Sequence, residues 1–122
     1  MKFARITFLL AGIYGLIVLT PLYFLEGLIG RQTPPPITHV EFFYGFTGAA
    51  LAWQVLFLVI ACDPLRYRTM MLPSILEKIS YGIALIALHY QHRIAASSFN
   101  IGMVDCLWAA LFAVSFARTR SA

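Results

Sequence analysis

The chain has 122 residues, of which 61% are hydrophobic and only 11% are charged, and its mean hydropathy is +0.81. Soluble domains average about 45–50% apolar and about 25% charged residues, so this composition excludes a soluble domain. Its apolar character also excludes a disordered chain. The sequence is therefore that of an integral membrane protein, with no room for a sizeable soluble domain beside its spans.

Four segments are apolar over about the 20 residues that a membrane-spanning helix needs. In chain order, spans are predicted over residues 6–25, 42–62, 75–90 and 101–117. The first two carry no charge, whereas Glu77 and Lys78 lie near the start of the third and Asp105 near the start of the fourth. Bilayers accommodate only helices and closed barrels, and the sequence has no alternating ten-residue segments. We therefore predict one all-α domain over residues 1–122, an antiparallel up-down-up-down four-helix bundle.

The first span resembles a secretory signal peptide in its flanking charges, because Lys2 and Arg5 precede an apolar run. The run is longer than that of a usual signal, and no A-x-A-like cleavage site follows it, so we expect a retained first helix. Thr20-Pro21 is expected to kink this helix, because proline removes a backbone donor.

Two motifs of the capping-box type indicate where further helices begin. Thr38 and Glu41 precede the second span, and Ser74 and Glu77 stand at the start of the third. In such a motif the two side chains satisfy backbone donors of the first helical turn. The proline run at residues 34–36 is expected to stay extended.

Basic residues are distributed unequally between the two sides of the predicted bundle. One side collects Lys2, Arg5, Arg66, Arg68, Lys78, Arg118 and Arg120. The other side has only Arg31 and Arg93. Because cytoplasmic loops are enriched in Lys and Arg, both termini and the 63–73 connection are predicted to face the cytoplasm, with the protein in the inner (plasma) membrane. Orientation then explains the basic pI near 9.4, and membrane lipid rather than nucleic acid is the expected partner.

Histidines and acids concentrate on the predicted outer side. His89 and His92 are three residues apart and share a helix face. The candidate outer polar cluster consists of His39, Glu41, His89, His92 and Asp105. Such a set can bind a divalent metal, relay protons or contact a quinone head group. Its central member is expected to be His89, with the ring within direct or one-water reach of Asp105 or Glu41.

The connection after the second span is the most distinctive stretch of the chain. Its basic residues are typical of a positive-inside anchor. A second interpretation is a head-group site, in which Arg66, Arg68 and Lys78 contact lipid phosphate.

Uncharged residues predict how the helices pack. Gln54, in the middle of the second span, is expected to make an interhelical hydrogen bond. Cys62 and Cys106 are expected to be roughly 20 Å apart along the membrane normal, which is too far for a disulfide, and to be plain buried thiols. Small residues at helical spacing are expected to let helices approach closely. They include Ala11 and Gly15 in the first span, and Ser80, Ala84 and Ala87 in the third.

Four short stretches carry a resemblance to known proteins. These are residues 41–46, 50–54, 63–68 and 76–78. In these stretches the chain resembles uncharacterised small four-span bacterial membrane proteins, and its overall plan is similar to that of DoxX-like proteins. The resemblance implies a four-helix bundle in a bacterial inner membrane, and it brings no catalytic residues. Small multidrug exporters differ, because they carry a membrane-embedded Glu in the first span, which has no acid here.

The sequence leaves three functions open. The first is a non-enzymatic accessory, packing or lipid-interacting subunit, because nearly every polar residue has a structural explanation. The second is a small-molecule or ion transporter that works as a homo-oligomer, since one bundle of this size has little lumen. The third is an enzyme or redox subunit of a larger membrane complex that uses the outer polar cluster. No motif in the chain identifies a cofactor, a metal or a substrate.

Overall fold

The computed structural model describes residues 2–119, which fold into helices and short connections without any strand. The helices are α1 (Lys2–Leu19), α2 (Glu26–Gln32), α3 (Val40–Cys62), α4 (Met71–Tyr90) and α5 (Ala96–Arg118). Short 3-10 helices continue α1 over Thr20–Phe24 and precede α4 over Arg68–Met70. Together with these extensions, four helices are long and apolar enough to span a membrane. The predicted all-helical fold with four long apolar helices is confirmed, and the chain is a small multi-pass membrane protein.

The long helices form two antiparallel hairpins. α1 packs along α3, and α4 packs along α5. Close approach within the second hairpin depends on glycine: a Cβ on Gly82 would lie 2.5 Å from the Cys106 sulfur, and one on Gly102 would lie 2.5 Å from Leu85 Cδ1. The hairpins meet along α1 and α5, whereas α3 and α4 touch each other only locally. The arrangement is compatible with a four-helix bundle that is open along one seam.

Three phenylalanines form the centre of the core. The rings of Phe8 and Phe112 stack with centroids 4.2 Å apart, and Phe57 meets Phe112 edge-on at 4.9 Å. All three are fully buried. Aromatic pairs at these separations add stabilisation beyond that of simple burial. The cluster joins α1, α3 and α5, and therefore holds the two hairpins together.

The start of α1 and the end of α5 lie at the same end of the bundle, which we call the terminal end. The Arg118 guanidinium lies 4.9 Å from the centre of the Phe3 ring, which brings the end of α5 to the start of α1. Arg68, between α3 and α4, donates to the Phe116 carbonyl near the end of α5. The opposite end, which carries α2 and the 91–95 turn, is called the α2 end.

All four long helices begin before the predicted spans, and the difference is largest for α5. α4 begins at Met71 rather than 75, and α5 begins at Ala96 rather than 101. Ser74 therefore lies inside α4, where its hydroxyl donates to the Met70 carbonyl at 2.8 Å, and the predicted capping box is wrong. The box at residues 38–41 is wrong as well, because α3 follows His39 without a side-chain cap. The change to 3-10 helix at Thr20–Phe24 coincides with the expected disturbance at proline.

The packing expected of the small residues is confirmed only in part. Ala11 and Gly15 are buried in α1, but the third-span stripe of Ser80, Ala84 and Ala87 is exposed. The cysteines also differ from one another: Cys106 is half-buried, whereas Cys62 is exposed at the end of α3, so the prediction of a buried thiol there is wrong.

Candidate functional site

A cavity of about 810 Å3 lies between the helices, on the α2 side of the phenylalanine core. Along the open seam, α3 and α4 are bridged by the stacked rings of Phe46 and Tyr81, 5.7 Å apart. Nearer the core they are bridged by Lys78, whose ammonium lies 5.3 Å from the centre of the Phe57 ring. The aromatic residues that line the cavity are Tyr14, Phe43, Phe46, Trp53 and Tyr81. The result is a largely apolar chamber inside the bundle.

A cluster of three ionisable side chains forms part of the cavity wall; we call Glu77, Lys78 and Asp105 the charged triad. The Lys78 nitrogen lies 3.7 Å from Asp105 Oδ1 and 3.8 Å from Glu77 Oε2. Only 7% of the Lys78 side chain is exposed. The Lys78–Asp105 pair joins α4 to α5, whereas Glu77 and Lys78 are consecutive residues of α4. Both distances are longer than a direct hydrogen bond.

The charged triad lies near the middle of the spans rather than at their ends. Lys78 is close to the centre of the candidate span Arg68–Tyr90, and Asp105 is close to the centre of Ala96–Arg118. Charges at that depth are costly in a bilayer, and they persist where they pair with one another or face a cavity. Here they do both.

Gln54 adds an amide to the same wall. It is 2% exposed and packs against Gly15 of α1. A side chain at position 15 would overlap the Gln54 amide. Its Nε2 donates to the Ala50 carbonyl of its own helix at 2.8 Å, so the predicted interhelical hydrogen bond is not formed. Its Oε1 is buried and has no hydrogen-bond partner within residues 2–119. A buried acceptor without a partner is uncommon in folded proteins.

The structure does not bring the residues of the predicted outer polar cluster together. Asp105 pairs with Lys78, and the His89 ring instead stacks on Phe99 with centroids 4.2 Å apart. Within the described residues, His89 makes no direct hydrogen bond or ion pair with Asp105 or Glu41. The reason is depth: because α5 begins five residues early, Asp105 lies further from the 91–95 turn than the sequence indicated.

The remaining members of that cluster are at the surface of the α2 end. His39 Nδ1 and Glu41 Oε1 are 3.6 Å apart, with side chains 73% and 66% exposed. His92 lies in the turn after α4 with a positive φ of 57° and is exposed. Across residues 2–119, no group of three or more His, Cys, Asp or Glu side chains is placed to hold a metal ion.

The three basic residues predicted to contact head groups have different surroundings. Arg66 is exposed beside Tyr67, as a head-group contact would require. The Arg68 guanidinium instead donates twice to the Phe116 carbonyl, at 2.9 and 3.1 Å, and stacks on the Phe116 ring. Lys78 follows Arg68 by ten residues, about 15 Å along a helix. Its ammonium faces the carboxyl groups of Glu77 and Asp105 rather than a head group. These three residues therefore do not form one site.

The charged triad is the feature that sequence reasoning missed. The sequence pattern places Glu77 in a capping-box motif, Lys78 among the candidate head-group contacts and Asp105 in the outer polar cluster. A signal for the pairing was present, because opposite charges lie in consecutive spans that a short turn joins. Two antiparallel helices of one hairpin bring such residues to similar depth.

No protein-family model matches this chain, and neither the curated proteins nor the solved structures gave a match. The resemblance to DoxX-like proteins therefore stays a prediction, and function has to be argued from the cavity.

Proposed function

We propose that this membrane protein binds a small amphiphilic molecule in its intramembrane cavity. The observation that carries the proposal is the Lys78–Asp105 pair, which lies near mid-span and forms part of the cavity wall. Ionisable residues within membrane spans commonly mark binding sites or ion paths. A bundle with only a packing role would be at least as stable with apolar residues at these positions.

The size and lining of the cavity support a ligand with an apolar body and one polar group. Its volume of about 810 Å3 falls within the range of roughly 300–1,000 Å3 that is usual for small-molecule sites. Five aromatic side chains line the wall, and the charged triad and Gln54 are among its polar groups. This proposal gives a specific form to the lipid-interacting role that the sequence left open.

A pore through a single chain is less well supported than a binding site. At the terminal end of the cavity the bundle is filled by Phe8, Phe57 and Phe112, all fully buried. A ligand would therefore enter from the α2 end or through the seam between α3 and α4, and would leave the same way. Transport would require the phenylalanine core to separate.

We further propose that the protein lies in the inner (plasma) membrane with its terminal end facing the cytoplasm. Lys2, Arg5 and Arg68 lie at this end, whereas Arg31 and Arg93 belong to the α2 end. Arg120, which the sequence also places on the terminal side, lies outside the described residues. Lys78 does not contribute to the unequal distribution of basic residues between the two ends, because it is near mid-span. The remaining excess of basic residues at the terminal end supports this orientation.

Native mass spectrometry of the full chain, released from its membrane in mild detergent, tests the binding proposal. We expect a bound small molecule on the wild-type protein and its loss in Ala49→Phe, which places a ring in the cavity. Ala52→Phe is the matched control, because Ala52 is also exposed on α3 but does not line the cavity. A wild-type protein free of adducts, or equal adducts on Ala49→Phe and wild type, would contradict the proposal.

A further inference from the structure

The charged triad is unbalanced in charge. One ammonium, that of Lys78, faces two carboxyl groups, those of Glu77 and Asp105. Among the described residues that line the cavity, Lys78 is the only basic one. With all three groups ionised, the wall therefore carries one negative charge in excess, in a region where an uncompensated charge is strongly unfavourable. A positively charged ligand would balance it.

Two buried oxygens at this wall make no hydrogen bond within residues 2–119, although one of them, Glu77 Oε2, lies 3.8 Å from the Lys78 nitrogen. Gln54 uses its amide donor on the Ala50 carbonyl, which leaves Oε1 without a partner within residues 2–119. Glu77 Oε2 is likewise buried without a hydrogen bond in the described part of the chain. A ligand that satisfies both oxygens has to donate hydrogen bonds or carry a positive charge, since an unpaired buried acceptor is costly.

The aromatic lining favours the same class of ligand. Trp53, Tyr14 and Tyr81 line the cavity together with the charged triad. The faces of such rings are electron-rich and attract cations, with Trp the strongest. A metal ion is a poor candidate, because residues 2–119 contain no cluster of three or more metal-ligating side chains. An organic cation with apolar substituents can use the rings and the carboxylates at once.

From these three observations, and resting on the proposed binding function, we infer that the cavity takes an organic cation, an ammonium-type group with apolar substituents. The cation lies against Glu77 and Gln54, and its apolar part occupies the aromatic chamber. An anionic amphiphile, such as a fatty acid, would meet two carboxylates and is disfavoured by like-charge repulsion.

The test compares two probe ions of the same shape and opposite charge, tetraphenylphosphonium and tetraphenylborate. Binding to the detergent-solubilised full chain is followed by quenching of Trp53 fluorescence in a Trp108→Phe background. The Ala49→Phe variant measures partitioning into detergent, which is subtracted. We expect cavity binding of the phosphonium ion and not of the borate ion. Glu77→Gln should weaken phosphonium binding by about tenfold or more, because it removes one charge of the wall.

Glu41→Gln is the matched control, since it makes the same chemical change at an exposed acid outside the cavity. It should leave phosphonium binding unchanged. Size-exclusion elution of each variant reports folding, and Asp105→Asn gives a second measurement if Glu77→Gln fails to fold. Equal binding of both ions, or preferred binding of borate, would overturn the cationic class while leaving the binding function standing. Binding of neither ion also overturns the inference, and the adduct comparison of wild type with Ala49→Phe then decides the binding function separately.

Discussion

Gly15 and Gln54 face each other where α1 packs against α3. A Cβ on Gly15 would overlap the Gln54 side chain, so the amide can lie at the cavity wall only because residue 15 has no side chain. Small residues in spans commonly serve close helix approach. At this position the glycine makes room for a polar group whose oxygen is left without a partner within residues 2–119.

Gly15→Ala is expected to lower stability by about 1–3 kcal/mol, because overpacking forces the Gln54 side chain to shift. The midpoint of thermal unfolding in mild detergent measures the effect. Gly45→Ala is the control, since a Cβ there meets nothing within 4 Å, and it should be neutral or stabilising by up to about 1 kcal/mol. Gly15→Ala combined with Gln54→Ala should recover most of the loss. If the single and double variants melt alike, the clash is not the cause.

The sequence indicated that Gln54, Lys78 and Asp105 were unusual, but it could not identify their partners. Hydropathy shows that a residue is charged. The depth of that residue in the membrane depends on where its helix begins, and its contact partner depends on how neighbouring helices are rotated about their axes. Lys78 and Asp105 are 27 positions apart, so their contact is a property of the α4–α5 hairpin rather than of either segment. His89 was assigned the wrong neighbour for the same reason.

The C-terminal part of α5 is tied to the connection that precedes α4. Arg68 donates through Nε and one terminal nitrogen to the Phe116 carbonyl, and its guanidinium stacks 3.7 Å from the centre of the Phe116 ring. The last carbonyls of a helix lack intrahelical donors and carry the negative end of the helix dipole. A planar cation that both donates and stacks stabilises this end in a way that an ammonium cannot.

Arg68→Lys is therefore expected to lower stability by about 1–2 kcal/mol, through loss of the paired hydrogen bonds and of stacking on Phe116. Arg66→Lys makes the same change two residues away at an exposed side chain, and it should alter stability by less than about 0.5 kcal/mol. Thermal unfolding of both variants in the same detergent compares them directly. Equal melting temperatures would show that Arg68 does not hold the end of α5.

At the scale of helices, the number of spans could be predicted from the sequence, but the residues at which α4 and α5 begin could not. Ser74 resembles a helix cap, and the polar residues Ser97, Ser98 and Asn100 precede the fourth apolar run, so the sequence places both starts after them. In the folded protein these polar residues lie inside α4 and α5. The short helix α2 was missed because Glu26–Gln32 spans only seven residues, about two turns, which is too short for a periodic pattern.

The whole molecule is asymmetric along its long axis. The terminal end is closed by the phenylalanine core and by the contact of Arg68 with α5, whereas the half toward α2 contains the cavity. The basic residues are concentrated at the closed end. If positive charge sets orientation, the open half lies toward the outside of the cell. A ligand would then reach the charged triad from the outer side or from the outer leaflet.

The native cysteines provide a test of this orientation without a fusion partner. Cys62 is exposed at the terminal end of α3, whereas Cys106 is half-buried against Gly82 within the α4–α5 contact. A membrane-impermeant maleimide should therefore label Cys62 in inside-out vesicles and not in intact spheroplasts, and Cys62→Ser should abolish that labelling. Arg93→Cys, made in the Cys62→Ser background, is the matched control at the α2 end and should label from the outside only. Labelling of Cys62 in intact spheroplasts would reverse the proposed orientation, and the cavity would then open toward the cytoplasm.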